Sequence, residues 1–265
     1  MLTVGVWIIV MAALGALLGP VLAPHDPSTQ NLALRLMGPS LSHPLGLDEL
    51  GRDILVRLAI GGRISFLVGL TVVSASATIG TLLGAVAGYF GGLVDEIISR
   101  IIDTLMAFPG LLLAIALVAV LGPSLMNVLF ALTIIGWVGY ARLVRGQVLR
   151  TRELEYVQAA RALGARTPRV LWRHVVPPVL PSVVVQATLG MAGAIIGEAA
   201  LSFLGLGVQP PTPSWGTMLN GGRAHLLDAP HLTIFPGLAI ALLVLGFNFV
   251  GDGLRDLTDP KTRKD

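Results

Sequence analysis

Six stretches of this chain, at about 3–23, 64–90, 94–121, 124–144, 182–204 and 233–251, are almost free of charged side chains. A hydrocarbon slab of about 30 Å is crossed by about 20 apolar residues in a helix. Within it every backbone N–H and C=O must be bonded inside the protein, so each stretch is predicted to be a transmembrane helix. The chain is therefore expected to be an all-α membrane protein. Its 54% apolar and 12% charged residues agree, the charged share of an average soluble domain being about 25%. The 32 glycines among 265 residues predict tightly packed helices. With no Cys, the chain has no disulfide, thiolate metal site or Cys nucleophile. The first stretch lacks a basic n-region, and no small-residue cleavage site precedes Ala23-Pro24, so it is expected to be a retained anchor rather than a signal peptide.

Charge sets the expected orientation. Between Arg142 and Arg173 lie eight Arg against Glu153 and Glu155, which places this loop in the cytosol. The tail with Arg255, Lys261, Arg263 and Lys264 lies two spans later and falls on the same side, as does the N-terminus by counting back. Segments 24–63, 122–123 and 205–232 then lie outside, the first with four Arg and four acids. Met1 to Trp7 hold no Lys or Arg, so later loops set the topology or the start is shortened. The net charge of +3 is explained by this loop bias, and no nucleic-acid partner is expected.

The basic island itself reads as two short helices. Thr151 is expected to cap the first, with Glu153 and Glu155 in its first turn, where acids suit the positive end of the helix dipole. Tyr156, Ala159, Ala160 and Leu163 then share one apolar face, away from Glu155, Gln158 and Ala162. Gly164 is a natural stop, Thr167-Pro168 a second start, and Pro177-Pro178 the expected end of a helix bearing Val170, Leu171 and Trp172. Periodicity leaves two readings: an amphipathic hairpin resting on membrane lipid, or a dock for a soluble partner.

The residues Glu155 to Pro181 resemble the EAA loop of type I ABC-transporter permeases. The pattern is E-A-A, three residues, Gly, then an apolar run to Leu-Pro; here it reads Gln158-Ala159-Ala160, Gly164 and Leu180-Pro181. Gln158 stands where that pattern has Glu, keeping hydrogen bonding but not charge. Three further stretches resemble the dipeptide, oligopeptide and nickel permeases, and within each pair the second subunit: His43 to Gly69, Glu198 to Leu219 and Gly251 to Lys261. The resemblance implies a six-helix permease in a prokaryotic cell membrane. It also implies a second homologous permease, two ATP-binding subunits and an extracytoplasmic substrate-binding protein as partners. Coupling to ATPase is then expected at Glu155, Gln158, Ala159, Ala160, Arg161, Gly164 and Ala165. Gly164→Asp or a bulky residue at Ala160 should uncouple transport. The chain would divide into 1–63 (first helix and outer segment), 64–252 (five-helix core with coupling loop 145–181) and 253–265 (tail).

No GxxxxGK[ST] loop occurs and the only lysines are Lys261 and Lys264, so ATP and Mg are expected on partner subunits, with no cofactor in this chain. His25, His43, His174, His225 and His231 lack metal-ligand spacing. Glu198, inside the fifth stretch, is either a carboxylate bonded to neighbouring helices or a lining of the substrate path or outer gate. Segment 47–58 carries Leu47, Leu50, Ile54, Leu55 and Leu58 on one helical face, an interfacial helix or a contact for a binding protein. Glu96, Arg100 and Asp103 are spaced to pair with one another after a Gly91-Gly92 turn. Pro210-Pro211-Thr212-Pro213 and Trp215 read as a stiff outer loop with an aromatic at interface depth, either touching a binding protein or closing as a rigid lid. The expected cargo is a dipeptide or oligopeptide, with nickel, glutathione or another small solute as the alternative. An ion-coupled transporter or channel is the other functional class. A multi-span enzyme would need an intramembrane catalytic constellation, and none is visible.

Overall fold

The computed structural model describes residues 1–22, 26 and 28–258. Ala23-Pro24, His25, Lys261, Arg263 and Lys264 lie outside the described residues. The helices are α1 (Leu2–Leu22), α2 (Ile54–Phe90), α3 (Gly92–Met106), α4 (Gly110–Leu121), α5 (Leu125–Thr151), α6 (Glu155–Ala162), α7 (Thr167–Val170), α8 (Leu180–Phe203), α9 (Trp215–Gly222) and α10 (His231–Thr258). Among the described residues the only β pairing is an isolated bridge between Leu47 and Asp53. α1, α2, α5, α10 and the rod Thr167–Phe203 are each long and apolar enough to cross a membrane, and the bent pair α3 and α4 makes a sixth candidate if it is one span.

This pair is not the straight span expected at 94–121. It bends by 87° between α3 and α4. Pro109 has no N–H to continue the ladder and disfavours helical backbone at Phe108 before it. α3 carries its acids to α5: Arg145 Nη2 donates to Asp95 at 2.7 Å, and Arg142 Nη2 to Asp103 at 3.3 Å. Asp103 thus pairs with Arg142 and not with Arg100. Arg100 and Glu96 stay 3.9 Å apart on the exposed side.

The second span also differs. It begins at Ile54 rather than 64, and 47–53 is a turn instead of the start of an apolar helix. Gly46 and Gly51 sit at φ +81° and +71°, left-handed backbone that ends any helix there. Asp48 accepts from the N–H groups of Leu50 and Arg52 and from Arg52 Nε at 2.7 Å. Asp53 caps α2 by accepting from Leu55 and Val56, and holds His43 Nδ1 at 2.8 Å. Two short carboxylates bonding local N–H groups outcompete the helical periodicity of the leucines.

α2 and α5 form the centre of the bundle. Gly80, Gly84 and Gly88 of α2 oppose the backbones of Trp137, Ala141 and Arg145 of α5, two ridges repeating every fourth residue in register. A Cβ at Gly80 would stand 2.5 Å from the Trp137 carbonyl, and one at Gly88 2.8 Å from that of Arg145. Around this seam Val68, Val72, Ala85, Val144 and Val148 are buried together.

α1 is held mainly at its ends. Gly5 packs under Gly246 and Phe249, and Leu2 touches Gly253, so the start of α1 lies beside the end of α10. Between the ends an apolar cleft of about 790 Å³ opens, lined by Met11, Gly15, Leu58 and Leu243 among others. Near the far end, Pro20 removes the N–H that would bond the Ala16 carbonyl. Arg63 of α2 replaces it, donating from Nε to Ala16 at 2.7 Å and from Nη2 to Leu17 at 2.8 Å. Charged donors to carbonyls contribute about 1.5–3 kcal/mol each when buried, and for this solvent-screened pair about 2 kcal/mol in all, so at about 2–4 °C per kcal/mol Arg63→Met should lower the melting temperature in detergent by about 4–8 °C. Lys, with one compact ammonium, should restore only part. An unchanged melt for Arg63→Met would show that this clasp contributes nothing.

Candidate coupling site

The island folds as a hairpin under the bundle. Thr151 does not cap it. Thr151 is the last residue of α5, its hydroxyl donating to Gln147, and Leu154 takes the cap position of α6. Glu153 therefore precedes the helix, and only Glu155 lies in the first turn. Gly164 ends α6 as expected. Its φ is +82°, its N–H donates to Arg161 at 2.9 Å, and that of Ala165 reaches back to Ala160 at 3.1 Å, the paired bonds of a glycine-ended helix.

Three contacts fix the hairpin to the spans. Arg152 donates from Nη1 to the carbonyls of Gly88 and Tyr89, which the end of α2 leaves unbonded. Arg161 lies 5.0 Å over the Tyr89 ring. The Tyr156 hydroxyl donates to His174 at 3.0 Å, tying α6 to the second limb. That limb does not stop at Pro177-Pro178. α7 passes through a π-turn at Leu171–Val175 and a 3₁₀ turn at Pro177–Val179 directly into α8. Looser and tighter turns absorb the missing proline N–H groups without breaking the rod.

The α6 side chain that faces inward is Val157, which lies off the apolar face read from the periodicity. Val157 is 0% exposed and joins Val170, Leu171, Val175, Val144 and Val148 in one cluster. Tyr156, Ala159 and Leu163 face out, Leu163 with 89% of its surface free, while Ala160 and Ala165 are half-buried. Glu155, Gln158 and Arg161 are exposed around this face. Gln158 donates from Nε2 to the Glu153 carbonyl at 3.0 Å, a bond that a glutamate lacks the donor to make. Of the residues expected to couple, Glu155, Gln158, Ala159, Arg161 and Gly164 are exposed on the hairpin and Ala160 and Ala165 are half-buried.

Glu198 lies elsewhere, on α8 near its far end. It is 0% exposed, accepts from Ser202 of its own helix at 2.6 Å, and has the Ser214 hydroxyl beside it. Ser202 in turn accepts from Val208 N–H at 3.2 Å, and Ser214 caps α9. The carboxylate buckles α8 to the 205–214 loop, so its bonding is to its own helix and a loop rather than to neighbouring spans. Trp215 likewise sits inside the protein, its Nε1 donating to Leu58 at 2.8 Å.

Sequence reasoning missed a cavity of about 370 Å³ between α2, α4, α5 and α8. Ser76, Tyr140, Gln186, Gly190, Gly193 and Gly197 border it. The signal was present, since Gln186, Gly190, Gly193 and Gly197 recur along one face of α8.

The bundle thus combines straight and bent apolar helices with an exposed hairpin that is continuous with the rod Thr167–Phe203. The chain belongs to the family described as binding-protein-dependent transport system inner membrane component, whose pattern matches residues 80–264. Residues 1–39 match the N-terminal transmembrane domain of oligopeptide transport permease C. The dipeptide transport system permease protein DppC of Alkalihalophilus pseudofirmus is 47% identical over 98% of this chain and 86% of that protein. The oligopeptide transport system permease protein OppC of Bacillus subtilis is 46% identical over the same shares, 98% and 86%. The glutathione transport system permease protein GsiD of Pectobacterium atrosepticum is 47% identical, again over 98% and 86%. A structure of the MetNI methionine ABC transporter in an inward-facing conformation shares the fold, with a TM-score of 0.57 over 75% of this chain and 93% of that one at 19% identity.

Proposed function

We propose that this chain is one of two permease subunits of an ATP-driven importer of dipeptides or oligopeptides in a prokaryotic cell membrane. The observation that carries the proposal is the outward apolar face of α6. Tyr156, Ala159 and Leu163 lie uncovered beside Gly164, while the opposite side of the same helix is packed to the spans through Val157. An apolar face rimmed by Glu155, Gln158 and Arg161 suits a groove on a soluble subunit, with small Ala side chains permitting close approach. ATP and Mg then belong to two such subunits inside, and a binding protein delivers substrate at the opposite face. When the ATP-binding subunits close, the hairpin is displaced, and the unbroken path from α7 through the π- and 3₁₀ turns into α8 carries the displacement into the bundle.

A peptide cargo is supported by the dipeptide and oligopeptide permeases among the relatives, and glutathione, itself a tripeptide, by the third. The transporter assembled with its own binding protein in vesicles should take up a labelled dipeptide only with ATP. ATP-driven uptake of nickel but not of any peptide would overturn the cargo, and uptake without an ATP-binding subunit would overturn the class.

A further inference from the structure

The cavity between α2, α4, α5 and α8 lies at mid-depth. Its α8 wall runs from Gln186 to Gly197, about 9 to 26 Å along the axis from Leu180 at 1.5 Å per residue. Its glycines are not all there for packing. A Cβ at Gly190 would strike the Tyr140 hydroxyl and one at Gly197 would stand 2.9 Å from Leu132, so both are required by neighbours in this chain. Gly193 is different: it is exposed, and a Cβ there would meet nothing within 4 Å. No contact inside this chain explains a glycine at that position.

The polar groups around it are equally unusual for the middle of a bilayer. Ser76 is 1% exposed, yet its hydroxyl reaches the Thr133 carbonyl only at 3.4 Å. Tyr140 is 4% exposed, and its hydroxyl reaches Gln186 only at 3.5 Å. Both hydroxyls make long bonds to backbone carbonyls, against about 2.5–3.0 Å for a usual O–H···O bond, and each oxygen keeps acceptor capacity for a further donor. Polar side chains at this depth mark substrate pathways. A lipid tail would offer them nothing, whereas the amides of an extended peptide offer donors and acceptors all along its length.

We propose that this cavity is the wall that the chain contributes to the substrate passage, gripping a short peptide by its backbone, with Gly193 setting the side-chain size that passes. The inference rests on the peptide-importer reading above and adds where the cargo travels. It also gives the hairpin something to move: the α8 wall is continuous with α7, so displacement of the island shifts Gly193 and its neighbours against Ser76 and Tyr140. A volume of about 370 Å³ is at the lower end for a ligand site, as suits one half of a passage completed by a second subunit.

The absence of Cys makes the test direct, since Gly193→Cys gives this chain a single thiol. In the assembled transporter in vesicles, a hydrophilic methanethiosulfonate should modify it, read as a mass increase of this chain. The rate should be about 10-fold or more above that of Leu245→Cys on the apolar exterior, because thiolate formation needs water. Transported dipeptide should slow the reaction. Gly193→Leu should leave diglycine uptake within about 3-fold and cut diphenylalanine uptake by about 10-fold or more. Labelling no faster than at position 245, as when another helix covers the cavity, overturns the proposal. So does an equal loss of both peptides. Fast labelling slowed by nickel or another non-peptide solute, and by no peptide, upholds the passage wall and overturns the peptide cargo.

Discussion

Replacing Ala159 by Trp should reduce ATP-driven uptake by about 30-fold while leaving the subunit folded and inserted, because one misfit side chain in a packed interface costs on the order of 2 kcal/mol. Ala159 is exposed on α6, next to Tyr156 and Leu163, and nothing in its own chain has to move to admit a larger group. The neighbouring Ala160 is half-buried, so a bulky residue there would disturb the hairpin as well as the dock. Gly164→Asp acts differently. A Cβ at Gly164 meets open space, but its φ of +82° costs a residue with a side chain about 1–2 kcal/mol, and the added carboxylate stands at the tip where the partner approaches. Both variants should keep a near-normal melting temperature and lose stimulation of transport by ATP. Full uptake by Ala159→Trp in vesicles would show that this face does not dock.

Hydropathy made the crossings legible because each is an autonomous physical requirement of the bilayer, and Gly164 was legible because a left-handed stop leaves a residue type in the sequence. The inward side of α6 was not. Periodicity reports that Tyr156, Ala159 and Leu163 share a face, but a face is equally apolar whether it meets its own core or another chain, and here Val157 alone points inward. Asp103 was misassigned for a related reason. Spacing reveals partners three or four residues apart, as it did Glu96 and Arg100, whereas Asp103 finds Arg142 about 40 residues away across a helix contact. In segment 47–58 the leucines suggested a helix, and local bonding by Asp48 and Asp53 prevailed.

Gly84→Leu should be the most damaging single change to the fold. Gly84 lies between Gly80 and Gly88 on the ridge where α2 meets α5, and a Cβ built on it runs into the Ala141 carbonyl and comes within 3.0 Å of the Ala141 Cα. These are backbone atoms, so no side-chain rotation relieves the overlap and α2 and α5 must part. Separation would unseat Val72, Ala85, Val144 and Val148, which fill the flanks of the seam. It would also draw Arg152 away from the Gly88 and Tyr89 carbonyls that anchor the hairpin. The cost should reach on the order of 3 kcal/mol or more, although leucine favours helix over glycine by roughly 0.8 kcal/mol. Gly139→Leu on α5 is the matched control, since a Cβ there meets nothing within 4 Å. Purified in detergent, Gly139→Leu should elute as a single species and melt as the parent does, and Gly84→Leu should aggregate or melt many degrees lower. Equal melting of the two variants would show that the close approach of α2 and α5 is not what holds the bundle together.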